Sequence, residues 1–435
     1  MTSATPEVCM ESLIVKSTKV ALQVWKWAPL FATGFLLSRI FARGGRDGLA
    51  GYLLRMLLKK SGSQLPIVLL VIMSSSIFLS LFIPNVLTVL TLLAVIEKLR
   101  EAVEAHPEAE SKELVTPIGL SLIYGANIGG MGSMVGSPAN ALLLFWLSFY
   151  SVPGLEHINF LSWLAWGIPL VIVFGLLAWG LLVLFFIPRR FYKLELNLDD
   201  ESGDHEPSRL RIVGAKLALL TGVFWISTSL LSSLLPSLKV MWEGFSMLFC
   251  LGFIYYVFFV QIEESNGEKR PLLRLEDCYT GLPWKGVFLA GVAGGMGAFL
   301  FWLGAPKWLA SHMQAFLPTQ LTPFAFYLTF AMVTIFATEL MSNTAVSVAM
   351  FPVAYQLSIS MGMNPLPVMI AVALASTCAF MSPIATPATG LAFGGMEGVS
   401  LKRMLVLGFF VNLLGGLWLT WFLTSILPWI YPVSS

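Results

Sequence analysis

From Phe160 to Phe186 the chain reads FLSWLAWGIPLVIVFGLLAWGLLVLFF, without a charged side chain. An α-helix rises about 1.5 Å per residue and the hydrocarbon layer of a bilayer is about 30 Å thick, so roughly 20 such residues span it. Leu217–Leu235, Met241–Val260, Val287–Leu303 and Met404–Leu427 are stretches of the same kind. Only 11% of the residues are charged, against roughly 25% in an ordinary soluble domain. The pattern is that of an all-α polytopic membrane protein, multi-pass and expected in the plasma membrane, with the lipid bilayer as its surroundings. A net charge of +2 makes no case for nucleic acid as a partner. Cys9, Cys250, Cys278 and Cys378 lie far apart with no CxxC pair, so neither a zinc site nor a disulfide framework is suggested. The first 25 residues lack a clean apolar core ending in small residues, and do not read as a cleavable signal peptide.

The charges lie between the apolar runs and orient them. Segments 43–60, 98–112, 189–216, 269–285 and 402–403 hold 20 of the 26 lysines and arginines. With these facing the cytoplasm, Lys239 and Lys307 alone fall in loops on the far side. One misfit remains. A first helix ending at a cytoplasmic Arg43 puts Lys16, Lys19 and Lys26 outside, an expectation that the chain is short at this end.

The chain then divides into an N-terminal segment (1–26), a first repeat (27–188), a cytoplasmic loop (189–210) and a second repeat (211–430). The first repeat contains an amphipathic surface helix (48–60), a long apolar stretch (65–96) and a broken helix (114–150). The second contains spans 211–235 and 241–260, a surface helix (305–316), a long apolar stretch (321–361), a broken helix (364–396) and a final span (404–427). Each long stretch has a polar interruption, with Ser80 aligning with Thr338 and Asn85 with Asn343. Each broken helix holds a Gly/Pro segment: GANIGGMGSMVGSPAN (125–140) and STCAFMSPIATPAT (376–389), with Pro138-Ala139 matching Pro387-Ala388. The two copies start from opposite sides, so the expectation is inverted repeats with two re-entrant hairpins and two broken transmembrane helices. Interrupted apolar segments at matching places in two halves point to a transporter's binding site.

The interruption TELMSNTAVS (338–347) sits in an apolar run, 321–361, whose only charge is Glu339. A helix that starts inside the membrane presents free N–H groups and the positive end of its dipole. Ser342, Asn343 and Thr344 can cap it, their oxygens can ligate a hard cation, and an anion is favoured at the same helix start. The alternative is a polar kink packed against neighbouring helices. In the broken helices, Gly129, Gly130, Gly132 and Gly136 let the backbone leave helical geometry and expose carbonyls. Glu339 suits either a proton relay or a structural role hydrogen-bonding the hairpin.

MSNTA (341–345), NIGGMGSMVGSPAN (127–140), AFMSPIATPAT (379–389) and PWKGVFLAGVAGGMGAF (283–299) resemble signature segments of the divalent anion:sodium symporters, of the ion transporter superfamily. The resemblance covers roughly residues 27–430. It implies one sodium shared by each hairpin tip and helix break: Ser80, Asn85 and Gly136 for the first, Thr338, Ser342, Asn343 and Ala385 for the second. It implies substrate contacts at Asn85, Ser137, Asn343, Thr344 and Thr386. It also implies a homodimer in which a hairpin-bearing domain slides against a fixed scaffold. The chain departs from the family at its first tip, reading Pro84-Asn85-Val86 where the family has Ser-Asn-Thr.

The resulting expectation is a sodium-coupled secondary active transporter of small divalent anions (dicarboxylate, citrate or sulfate) working by an elevator. Its alternatives are an anion carrier with proton coupling or exchange, or an anion channel. An enzyme is not expected: there is no HExxH and no pair of intramembrane aspartates, and His106, His157, His205 and His312 fall in loops or at surfaces. The charge bias predicts that Glu195→Cys and Asn266→Cys are labelled only by reagents reaching the cytoplasm, and a cysteine at 155 only by external ones. External labelling at 195 would reverse the orientation.

Overall fold

The computed structural model describes residues 25–43, 48–61, 64–104, 111–192, 208–264, 267–280, 321–386, 389–390 and 399–431, and isolated residues among 288–312 and at 393. Among them the protein is all-α apart from a two-stranded hairpin, β1 (Gln261–Glu263) and β2 (Lys269–Pro271). The helices are α1 (Ala28–Ala42), α2 (Leu49–Ser61), α3 (Leu65–Ser80), α4 (Asn85–Glu104), α5 (Ser111–Gly129), α6 (Pro138–Tyr150), α7 (Phe160–Phe186), α8 (Arg209–Leu234) and α9 (Lys239–Phe259). They continue with α10 (Leu275–Tyr279), α11 (Pro323–Thr338), α12 (Asn343–Ser360), α13 (Pro365–Ala375) and α14 (Leu401–Ser425). By length and composition α7, α8, α9 and α14 can each cross a bilayer. The chain is an all-α polytopic membrane protein. Most of Val287–Leu303 and of surface helix 305–316 lies outside the described residues, as do Pro387 and Ala388.

Local chemistry starts these helices. Proline stands in the first turn of α3, α6, α11 and α13, where its missing N–H costs nothing. Asn159 and Ser162 form a reciprocal cap on α7 at 2.8 and 2.9 Å. Asn364 caps α13 by accepting from the Leu366 N–H at 2.8 Å. α2 buries Leu49, Ala50, Leu54 and Leu58 and exposes Lys59 and Lys60, the amphipathic pattern of a surface helix.

Two helix pairs form the core. α3 and α4, joined by residues 81–84, pack on α5; α11 and α12, joined by 339–342, pack on α13. The halves meet where α12 and α13 pack on α6, and where α14 packs on α7. Small and hydroxylated residues set the α3–α5 contact. Ser76 and Ser80, one turn apart, donate to the carbonyls of Leu122 and Ala126 at 2.8 and 2.7 Å. Gly125 and Gly129, also one turn apart, lie against the backbone of Met73 and Ile77; a Cβ on Gly125 would come within 2.6 Å of the Met73 carbonyl oxygen. Such close approach replaces the hydrophobic drive that lipid removes.

A second apolar cluster gathers Leu36, Leu37 and Ile40 of α1 with Leu210 and Leu217 of α8, Phe253 and Val257 of α9, and Ile262, Leu272 and Leu273. Beside it the α1 arginines find partners. Arg39 donates to the carbonyls of Asp277 (2.6 Å) and Thr280; Arg43 donates to those of Pro271 and Leu272 and pairs with the Asp277 carboxylate at 3.5 Å. The guanidinium of an arginine in an apolar helix is thereby solvated by backbone carbonyls in place of water. Glu264 accepts from Ser208 at 2.6 Å and Arg270 at 3.2 Å, tying the β hairpin to the start of α8. Burial raises its pKa, but these partners outweigh burial and hold the carboxyl below its ordinary range.

Gly129→Ala should force α3 and α5 apart and lower the thermal midpoint in detergent by several degrees. Gly252→Ala on α9, where nothing lies within 4 Å of a new Cβ, should be neutral or slightly stabilising. Parallel thermal unfolding of the two purified variants checks the contrast.

Candidate functional site

Both helix pairs build the same arrangement where their turns end. In the first, the Ser80 hydroxyl donates to Asn85 Oδ1 at 3.1 Å and to the carbonyl of Ala126 at 2.7 Å. In the second, the Thr338 hydroxyl donates to Asn343 Oδ1 at 2.6 Å and to the carbonyl of Ser376 at 3.0 Å. Each unit thus gathers a hydroxyl at the end of one helix, an amide oxygen at the start of the next, and a carbonyl of the helix that is about to break.

The breaks match as closely. Ser133 Oγ accepts from the Val135 N–H at 3.3 Å while the Gly136 N–H donates to the Ser133 carbonyl at 3.4 Å. Ser382 Oγ accepts from the Ile384 N–H at 3.3 Å while the Ala385 N–H donates to the Ser382 carbonyl at 3.4 Å. Gly167 of α7 lies against the Gly132 carbonyl and Gly408 of α14 against the Phe380 carbonyl. Each break is therefore backed closely by the following long helix.

The sequence-derived residues fall as follows. Ser80, Asn85 and Gly136 come together: a Cβ on Gly136 would approach the carbonyl oxygens of Ser80 and Gly130 to 2.6 and 2.9 Å, and Gly130 packs on the Asn85 amide. The cradle is made of neutral oxygens, a donor set suited to a small hard cation, and only glycine leaves it open. Thr338 and Asn343 come together at the second tip. Ala385 is buried in the second break, and Ser342 stands half-buried just before α12, making no side-chain cap. Thr344 is half-buried in the first turn of α12. Ser137 caps α6 by accepting from the Ala139 N–H at 3.3 Å, which leaves its proton to donate. Thr386 is engaged with Thr389, the hydroxyls 2.9 Å apart and each N–H donating to the other's hydroxyl.

Asn140 and Asn412 complete the site beyond the residues expected from the sequence, and Glu339 takes a definite place in it. Asn140 Nδ2 donates to the carbonyls of Gly130 and Ser133 at 2.9 and 2.7 Å. Glu339 accepts from three successive N–H groups, Phe380, Met381 and Ser382, at 2.8, 2.9 and 2.7 Å, and from Asn412 Nδ2 at 2.7 Å. Four donors on one carboxylate give it the structural role weighed for it, clamping the tip to the second break. Asn412, a lone amide in an apolar run, was the signal available for this clamp.

The citrate transporter family model matches residues 16–373. The chain belongs to that family. It is similar, at 27% identity over 401 residues, to the sodium-dependent dicarboxylate transporter SdcS of Staphylococcus saprophyticus, the match covering 88% of this chain and 73% of that protein. SdcS of Staphylococcus aureus strain MRSA252 is 27% identical over 421 residues, covering 93% of this chain and 77% of that protein. Membership in the family makes this chain a membrane transporter and not an enzyme.

Within this family member the two tips differ in exposure. Leu81 and Ile83 of the first turn are buried, and Asn85 is 8% exposed. Leu340 and Met341 of the second turn are 82% and 53% exposed, and Ile384 of the second break is 83% exposed. Asn343→Ala removes the amide oxygen at the more open tip and should abolish uptake in a correctly inserted protein. Thr338→Ala removes the hydroxyl that reaches Asn343 Oδ1 and the Ser376 carbonyl and should lower uptake without abolishing it; uptake at the parent rate for either variant would contradict this placement.

Proposed function

We propose that this protein moves small divalent anions, dicarboxylates or citrate, across the membrane together with sodium. The observation that carries the reading is the duplicated cluster of hydroxyl, amide oxygen and carbonyl at Ser80–Asn85–Ala126 and Thr338–Asn343–Ser376. The names of the staphylococcal relatives support sodium and a dicarboxylate.

In this reading α3–α4 and α11–α12 are re-entrant hairpins of two inverted repeats, and sodium is cargo. One ion sits at Thr338, Ser342 and Asn343 against the second break at Ala385, and another at Ser80, Asn85 and Gly136. The anion's carboxylates meet Asn343 and Thr344 at the start of α12, with Ser137 and Thr386 at the starts of the resumed helices. Asn85 contributes less to the anion, because Ser80 and Asn127 already engage its amide. Opposite unit charges about 4 Å apart attract by about 4 kcal/mol at an effective dielectric constant near 20, roughly a thousandfold in affinity. Cation and anion therefore load together. Neutralised, the hairpin-bearing part slides as a body against a scaffold in a homodimer and alternates access.

The first tip carries the weaker ion. Pro84 brings neither hydroxyl nor N–H, and the Val86 side chain brings no polar atom. Uptake into proteoliposomes should saturate, run uphill on a sodium gradient, and show a shallow sodium dependence; Pro84→Ser with Val86→Thr should steepen it. Counterflow with succinate, citrate and sulfate identifies the anion. Flux that neither saturates nor follows sodium would refute the reading in favour of a channel, and a steep, cooperative curve in the unmodified protein would refute the weak first site.

A further inference from the structure

One line of hydrogen bonds joins the two clusters, and Asn127 is its middle. Asn127 lies on α5 and is fully buried. Its Nδ2 donates to the carbonyl of Ala379 in the second break at 2.9 Å. Its Oδ1 accepts from Asn85 Nδ2 at 3.3 Å, and Asn85 Oδ1 accepts from Ser80 Oγ at 3.1 Å.

The direction of this line is decided at one end. A backbone carbonyl only accepts, so Asn127 must turn its amide NH2 toward Ala379. Its oxygen is then left for Asn85, which must turn its own NH2 toward Asn127. The Asn85 oxygen consequently faces Ser80 and the glycine cradle at Gly130 and Gly136. Without Asn127, Asn85 could present NH2 where a cation needs oxygen.

The far end of the line is the frame of the other cluster. Phe380, Met381 and Ser382, directly after Ala379, donate their N–H groups to Glu339 at the second tip. Tyr124, also on α5, donates to the Phe380 carbonyl at 3.1 Å and sets its ring edge-on to Phe380 at 5.0 Å. We propose that Asn127 is a positioning residue that aims the Asn85 amide oxygen into the first cation site and ties that aim to the backbone framing the second. The inference rests on the reading of Ser80, Asn85 and Gly136 as a sodium site.

The test is the sodium dependence of uptake in proteoliposomes made from the full chain. Asn127→Ala should raise the half-saturating sodium concentration about tenfold, which corresponds to about 1.4 kcal/mol. The KM for the anion at saturating sodium should stay within about twofold, whereas a merely structural residue would lower the maximal rate and leave sodium half-saturation in place. Ser80→Ala combined with Asn127→Ala should be little worse than Ser80→Ala alone, because both act through one site. If Asn127→Ala does not yield monodisperse protein, Asn127→Ser keeps a hydroxyl that can serve one neighbour but not both, and should show a smaller rise. Parent-like sodium half-saturation in either folded variant, or fully multiplicative effects in the double variant, would overturn the proposal alone. So would failure of both variants to fold, which would make Asn127 a folding residue. A parent protein whose uptake ignores sodium would overturn the functional reading, and this proposal with it.

Discussion

Helices that stop in an apolar setting leave N–H and C=O groups without water, and the polar side chains of this protein largely answer that demand. Asn140 serves the carbonyls of Gly130 and Ser133 in the first break, and Trp163 Nε1 donates to the Met131 carbonyl at 3.0 Å. Each bond is worth about 1 kcal/mol net, but a buried group left unpaired costs about 1–3 kcal/mol. The breaks are therefore held in one shape, and the neutral oxygens of the proposed cation sites are part of that frame.

The two halves meet this demand differently at one matched position. After Ser80 comes Leu81, whose carbonyl accepts from Ser133 of the first break. After Thr338 comes Glu339, whose carboxylate gathers three N–H groups of the second break and Asn412. The first clamp is neutral; the second uses charge-assisted bonds, roughly twice as strong. A buried carboxylate also leaves negative potential near Thr338 and Asn343, which favours a cation there. The first tip has no such charge and lacks the hydroxyls that Pro84 and Val86 replace. Together these features make the second tip the principal site in the proposed function.

Much of this was legible in the chain. The apolar runs Phe160–Phe186, Leu217–Leu235, Met241–Val260 and Met404–Leu427 correspond to the long helices Phe160–Phe186, Arg209–Leu234, Lys239–Phe259 and Leu401–Ser425. The matching of Ser80 with Thr338 and Asn85 with Asn343 corresponds to matched hydrogen bonds. The glycines of 125–140 hold two meanings that sequence does not separate: Gly125 and Gly129 serve helix packing, while Gly130 and Gly136 line the oxygen cradle. Ser133 and Ser382 escaped notice because serine is unremarkable beside glycine and proline, and their role lies in backbone bonds two and three residues away.

The sequence by itself determined the class of protein, the order of its helices and the two places where polar residues interrupt them. Those properties depend on composition and periodicity along the chain, which burial in lipid reads directly. Only the tertiary structure decided which atoms meet. Asn127 and Ala379 are 252 positions apart, and Glu339 and Asn412 are 73 apart. No local pattern marks such pairs, because a hydrogen bond forms only once packing has brought its partners within about 3 Å and aligned them.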